Sequence, residues 1–164
     1  MLKGHLDIDN SALMKKCLEL SKNIKVGQGG GYFIDVIDSH RFAPDNPNVN
    51  PHNWPEFQPV IDHLKTLIDP KEITKSWFNI TLTGGVMNDH IHFQAPHSVL
   101  VYYINCNPDH PHLEFLIDGE WVEEKCVSGD WMIFPKLLHH RVPINTGAGD
   151  RISVSVNMGE PKLL

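Results

Sequence analysis

The run Ser76-Trp77-Phe78-Asn79-Ile80-Thr81-Leu82 decides the fold. Side chains alternate across an extended chain, so Phe78, Ile80 and Leu82 share one face while Trp77, Asn79 and Thr81 take the other. The apolar face can pack on helices, and the mixed face can line a pocket. Seven further β-rich runs follow at short intervals, near residues 86–93, 98–105, 112–117, 120–126, 130–134, 140–144 and 151–157. Between them stand Gly84-Gly85, Asp118-Gly119, Ser128-Gly129 and Thr146-Gly147-Ala148-Gly149, all able to supply the positive φ that tight turns need. Eight strands with these turns predict a mainly β domain, a jelly roll.

Upstream, Asn10 or Ser11 can cap a helix that carries Leu13, Cys17, Leu20 and Ile24 on one face, with Gly27 and Gly29-Gly30-Gly31 to stop it. Tyr32-Phe33-Ile34-Asp35-Val36-Ile37 reads as a short strand, and the Pro- and Asn-rich stretch 43–53 as a long loop able to cover a site. Asn53-Trp54-Pro55-Glu56 has the form of a capping box. After it Phe57, Val60, Ile61, Leu64, Leu67 and Ile68 recur at helical spacing until Pro70. The expected organisation is therefore one domain, 1–164, with a helical buttress and lid over 1–75 and a jelly-roll core over 76–157.

Composition bounds the function classes. The net charge of -6, with no run of Lys or Arg, gives no obvious nucleic-acid surface. No apolar run approaches the length that crosses a bilayer, and Met1-Leu2-Lys3-Gly4-His5 lacks the apolar core of a signal peptide, so a cytoplasmic location is expected. Cys17, Cys106 and Cys126 are odd in number and lack CxxC spacing, which supports free thiols rather than a disulfide framework or a zinc–thiolate site.

The chemistry concentrates in the histidines. His90-Ile91-His92 on a strand would put both rings on one face about 7 Å apart, and imidazole suits iron, zinc, copper or nickel. His139 and His140 lie on a late strand that a jelly roll can return beside an early one, and as neighbours only one of them can point inward. Rival ligands exist. His112-Leu113-Glu114 has the His-x-Glu form of a two-histidine, one-carboxylate triad but stands close in sequence to His140 and ranks second. Asp89 would need a bulge to join His90, and His97 fits the mouth of a cavity. Arg151 opens a strand bearing Ser153, Ser155 and Asn157 on the same face. Its guanidinium matches a carboxylate bidentately, the alternative being a surface pair with Asp150. The loops 43–53 and 107–111 are candidate lids. Trp77, Trp131 and Tyr102 are either pocket walls or core.

Trp77-Phe78-Asn79, His90-Ile91-His92, Val101-Tyr102-Tyr103-Ile104, Gly129-Asp130-Trp131-Met132-Ile133-Phe134-Pro135, His140-Arg141-Val142 and Arg151-Ile152-Ser153 through Asn157 together resemble the small 2-oxoglutarate/Fe(II) oxygenases of phages and marine bacteria. The segment from Gly129 to His140 is also similar to the second cupin motif, with Leu137 where that motif prefers glycine. Both relatives share the double-stranded β-helix. The resemblance covers roughly the C-terminal half. It implies Fe(II) at His90, at His92 or a substitute such as Asp89 or Glu114, and at His140, and 2-oxoglutarate held by Arg151 with Ser153 and with Tyr103 or Asn79. It further implies hydroxylation of a C–H bond with O₂, giving succinate and CO₂, in the host cytoplasm if the chain is phage-encoded. Two departures stand out: His92 takes the place of the acid in His-x-Asp or His-x-Glu, and Val99-Leu100 replaces the usual Ser-Gly. A peptide side chain, a modified base, a sugar or a free metabolite fits equally as prime substrate, and exposed sheet edges favour a homodimer. Two alternatives remain at this point: a cupin-type three-histidine metalloenzyme that does not use 2-oxoglutarate, and a noncatalytic jelly-roll module that binds a glycan or a virion partner.

Overall fold

The computed structural model describes residues 1–22, 33–35 and 50–162. Its strands are β1 (Leu2–His5), β2 (Phe33–Asp35), β3 (Lys75–Thr81), β4 (Met87–His90), β5 (Ser98–Asn105), β6 (Leu113–Ile117), β7 (Glu120–Glu124), β8 (Asp130–Pro135), β9 (His140–Val142) and β10 (Arg151–Met158). Two helices, α1 (Ser11–Ser21) and α2 (Gln58–Leu67), precede β3. All eight strands expected after residue 75 are present. The N-terminal β1 was not anticipated, and it adds to the sheet by pairing with β8. Ile24, the stop glycines Gly27 and Gly29–Gly31, the flanks of the 32–37 strand and the 43–49 part of the loop lie outside the described residues.

The strands form two antiparallel sheets, one ordered β1-β8-β5-β10-β3-β2 and the other β4-β9-β6-β7. Apart from the β6–β7 hairpin and the β2–β3 pair, neighbours in these sheets are not consecutive in the chain, which is the jelly-roll connection. The fold is mainly β, a six-stranded sheet facing a four-stranded one with helices on the outer side.

Alternation within the six-stranded sheet builds two cores. Phe78 and Ile80 from β3, Leu100, Tyr102 and Ile104 from β5, Trp131 and Ile133 from β8, and Ile152, Val154 and Val156 from β10 pack with Leu13, Cys17, Phe57, Val60, Ile61 and Leu64 of the helical layer. The opposite face sends Val99, Val101, Tyr103, Met132 and Phe134 against Met87, Leu113, Phe115 and Val142 of the smaller sheet. At about 1.5–3 kcal/mol for each fully buried large apolar side chain, both layers gain from closing.

The helix caps differ from the expected ones. Asn10 occupies the N-cap position of α1, but its side chain makes no capping bond; it donates to the Ile104 carbonyl and accepts from the Tyr102 hydroxyl, tying the helix start to β5. The expected capping box at Asn53 is absent. Pro51 and Pro55 open short 3₁₀ turns there, and α2 starts later, at Gln58, with Pro59 in its first turn and Phe57 as an N-cap without a side-chain bond. The turns follow expectation: Asp118 and Gly119 adopt φ of 51° and 85° in the β6–β7 hairpin. Gly129 has φ of 91°, and an added Cβ there would lie 2.7 Å from the Leu6 carbonyl and the His5 ring.

Candidate metal centre

Two strands buried on both faces, β3 and β10, form one wall of a cavity of about 420 Å³ between the sheets. Their inward residues are polar: Trp77 and Asn79 from β3, and Arg151, Ser153, Ser155 and Asn157 from β10. Neighbouring residues on β10 point to the helices, so the polar row costs the outer core nothing. Opposite lie His90, His92 and His140, whose ligand nitrogens all come within 4.8 Å of one another.

His90 ends β4, and His140 opens β9 directly across from it. A register shift between Met87 and His90 inserts an extra residue, and this bulge lets both Met87 and His90 face inward. His92 lies beyond the strand end, so simple alternation along a strand, the expected cause of the His90–His92 pairing, does not place it. Its amide instead donates to the Lys136 carbonyl, and its ring stacks on Trp77 at 5.4 Å. The His92 and His140 rings are parallel within 6°, with their Nε2 atoms 3.1 Å apart.

Backbone partners set the tautomers. His90 Nδ1 lies 2.8 Å from the Asn88 carbonyl, and His140 Nδ1 lies 2.8 Å from the Leu138 carbonyl. A proton on each Nδ1 leaves Nε2 as a lone-pair donor aimed inward, the arrangement that orients metal-binding histidines. Burial, followed by the His140 and His90 rings, pushes His92 down to about 3. Burial, followed by His90, pushes His140 down to about 4. Both rings are therefore neutral at physiological pH and able to bind a cation. Two imidazole nitrogens about 2.1 Å from one ion at right angles stand about 3 Å apart, so the 3.1 Å spacing suits a shared divalent metal.

The rival ligands go elsewhere. Asp89 sits beside the bulge at the edge of the cavity, yet its carboxylate pairs with His139 at 2.9 Å and is not part of the three-histidine group. Glu114 accepts from Arg141 Nε at 2.6 Å. His112 is buried beside Cys126, and His97 bonds Ser98 Oγ and approaches Glu160. The loop 107–111 is pinned to the turn at 146–149 through His110 and the Ala148 carbonyl, and none of its residues lines the cavity.

Arg151 is only 1% exposed. Its Nε and Nη2 atoms have no hydrogen-bond partner, and its guanidinium carbon lies 5.1 Å above the Tyr103 ring. Among the described residues no ion pair joins it to Asp150, whose carbonyl instead accepts from Asn105. A buried guanidinium with unpaired donors costs several kcal/mol unless an anion meets it. Tyr103 does not line the cavity. Its ring supports Arg151, and its hydroxyl faces Met132 Sδ at 3.6 Å. Asn79 lines the cavity and donates to Ser155 Oγ at 3.1 Å. Trp77 is a cavity wall, whereas Trp131 and Tyr102 belong to the helix-side core.

One convergence escaped the sequence reading. Cys106, His112 and Cys126 are all buried, and their ligand atoms also lie within 4.8 Å of one another. A register shift between Ile152 and Ser153 opposes Tyr103 and Asn105, so Ile104 is an extra residue that flips the alternation and turns Cys106 inward. The missing CxxC spacing said nothing about cysteines brought together by such a bulge.

No protein-family model matches the chain, and no curated protein matches its sequence. Solved structures do match in fold. A Pseudomonas putida prolyl-4-hydroxylase is 12% identical with a TM-score of 0.62, over 97% of this chain and 91% of that one. HygX from Streptomyces hygroscopicus, solved with nickel and 2-oxoglutarate bound, is 9% identical with a TM-score of 0.64, over 97% and 82%. A 2OG-Fe(II) oxygenase family oxidoreductase from Burkholderia pseudomallei is 13% identical with a TM-score of 0.50, over 66% and 60%. Among the described residues no helix is long and apolar enough to cross a membrane.

Proposed function

We propose that this protein is a non-haem Fe(II)/2-oxoglutarate-dependent oxygenase that hydroxylates a C–H bond. The observation that carries this reading is a buried guanidinium with unpaired donors on the same cavity as three converging imidazoles. His90, His92 and His140 would hold the iron. Arg151 would fix the distal carboxylate of 2-oxoglutarate, with Ser153 as an added hydroxyl donor. The fold likeness to HygX, whose structure contains nickel and 2-oxoglutarate, supports a metal and that cosubstrate as ligands of this cavity.

Bound iron supplies the redox chemistry, in which O₂ is consumed while 2-oxoglutarate becomes succinate and CO₂. The chain's own residues supply orientation. The carbonyls of Asn88 and Leu138 hold the His90 and His140 rings with Nε2 inward, and Trp77 holds His92 by stacking. The guanidinium fork defines the carboxylate's position, and the Tyr103 ring fixes the fork from below. Asn79 and Ser155 are bonded to each other and form a fixed polar wall. Sheet closure keeps water out of the Arg151 end, where charge pairing is strongest.

Anaerobic addition of Fe(II), then 2-oxoglutarate, tests the proposal. A visible metal-to-ligand charge-transfer band should develop with 2-oxoglutarate, vanish in His140→Ala, and need far more cosubstrate in Arg151→Ala. A specific observation favours a second reading: neither Asp89 nor Glu114 reaches the imidazoles, so the donor set is three histidines. A cupin-type metalloenzyme that does not use 2-oxoglutarate would have this set. Tight iron binding with no response to 2-oxoglutarate would select it.

A further inference from the structure

We infer a second metal site, separate from the histidine cluster, in which Cys106, His112 and Cys126 hold one thiophilic d¹⁰ divalent cation of the Zn(II) type. The three side chains come from three places: just after β5, just before β6 and just after β7. None lines the oxygenase cavity. All are buried, with Cys106 and Cys126 each 2% exposed and His112 8%.

Two of the three donor spacings are those a tetrahedral ion requires, and the third lies within 4.8 Å. The Cys106 and Cys126 sulfurs are 3.6 Å apart, and Cys126 Sγ lies 3.4 Å from His112 Nδ1. With Zn–S near 2.3 Å and Zn–N near 2.0 Å, tetrahedral edges come to about 3.8 Å between sulfurs and about 3.5 Å from sulfur to nitrogen. Two thiolates cancel the charge of a divalent ion, so the ion and its sulfurs add no net charge beside the Arg151 guanidinium, whose charge acts on both thiols. Three protein ligands leave one position for a light donor such as water. Without an ion the group satisfies itself: the Cys126 amide donates to His112 Nδ1 at 3.2 Å, and the Cys106 thiol donates to the Cys126 carbonyl. Metal binding exchanges those contacts and releases the one thiol proton left on the hydrogen-bonded Cys106–Cys126 pair. Ser128 bonds both the amide and the carbonyl of Cys106, holding the backbone in place through the exchange. An ion here would tie together the ends of three strands that have no other covalent or metal link among the described residues.

Cobalt substitution tests the site with a readout that imidazole cannot produce. The full chain, stripped with chelator under reducing conditions, should bind one Co(II) with near-ultraviolet sulfur-to-cobalt charge-transfer absorbance and tetrahedral d–d bands. That signal should persist in His140→Ala, disappear in the Cys106→Ser/Cys126→Ser double variant, and collapse when one equivalent of Zn(II) is added. If the double variant does not fold, the wild-type chain decides. Absence of the sulfur-to-cobalt band at saturating Co(II) with all thiols reduced overturns the inference, as does a Cys106–Cys126 disulfide found by mass as the stable state under reducing conditions. Loss of the iron response with retention of the cobalt band would sink the oxygenase reading and leave this site standing.

Discussion

The two faces of β10 differ as sharply as core and active site can within eight residues. Ile152, Val154, Val156 and Met158 are locked into the helix-side core, while Arg151, Ser153, Ser155 and Asn157 are equally buried but polar. Burial is the same on both sides, so exposure does not tell the faces apart. What differs is pairing. The apolar row meets complementary apolar atoms, and the polar row leaves Arg151 Nε and Nη2 and Asn157 Oδ1 without partners. Unpaired buried donors persist in a folded chain when a ligand pairs them. The comparison assigns stability to one face and ligand binding to the other, and each assignment can be broken by mutation.

The largest effect belongs to the apolar face. Phe78 sits opposite Val154 across the β10–β3 ladder and is fully buried. Phe78→Ala should cost about 3–5 kcal/mol of folding stability through lost transfer energy and the cavity left behind. Denaturant titration reads the stability; iron affinity of the protein that remains folded should be unchanged. A large loss of iron affinity in folded Phe78→Ala would show that the two faces are not independent.

Arg151→Ala comes next and should act on the opposite quantity. Leaving a buried carboxylate without its guanidinium should cost about 2–4 kcal/mol, or about 30- to 1000-fold in 2-oxoglutarate affinity. Folding stability should change little, because the guanidinium leaves two donors unpaired in the free protein while it also contacts the Cys106 thiol. Titration of the charge-transfer band and a melting curve check both expectations. A marked fall in melting temperature with little change in cosubstrate affinity would move Arg151 to the stability side.

How much of this was legible depended on whether alternation along a strand survived folding. It survived in β3 and β10, so Phe78, Asn79, Arg151 and Ser153 could be assigned to faces from sequence alone. It also set His139 and His140 on opposite faces, as found, although only the resemblance chose His140 as the inward one. It failed at bulges and strand ends. His92 reaches the cluster from beyond β4, through a backbone bond to Lys136 and stacking on Trp77, neither of which a local pattern reveals. Cys106 turns inward because Ile104 is an extra residue against β10. The capping box at Asn53 was outcompeted by two prolines that favour 3₁₀ turns. Strand β1 has no alternating apolar pattern to announce it, being largely exposed and held by its ladder to β8.

Acid should weaken the metal-free protein through the histidine wall of the cavity. Burial, followed by neighbouring rings, holds His92 at about 3 and His140 at about 4, while unfolding returns each to about 6.5. The unfolded chain then takes up protons that the folded chain excludes. Stability is fully present above pH 6.5 and is lost as the pH falls toward the folded values, by up to about 2 kcal/mol for His140 between pH 7 and 5. The melting temperature of metal-free protein across that range should fall, and His140→Phe should flatten the fall. An unchanged slope in the variant would mean that other groups govern the acid response.

Ser153 gives the smallest effect and the finest test of the two-face comparison. Its β-ladder partners are Tyr103 on one side and Asn79 on the other, so it stands between the residue that supports Arg151 and the polar wall. Ser153→Ala removes one hydroxyl and leaves the backbone ladder intact. A single hydrogen bond to the cosubstrate is worth about 1 kcal/mol, so 2-oxoglutarate affinity should fall about fivefold while the melting temperature stays within a degree or two. A Ser153→Ala/Arg151→Ala double variant then decides whether the two donors share one carboxylate. Removing Arg151 frees the carboxylate to shift, so the serine's contribution should shrink in that background. Strict additivity of the two losses would place Ser153 and Arg151 on different groups of the ligand and would separate the polar row of β10 into two binding functions.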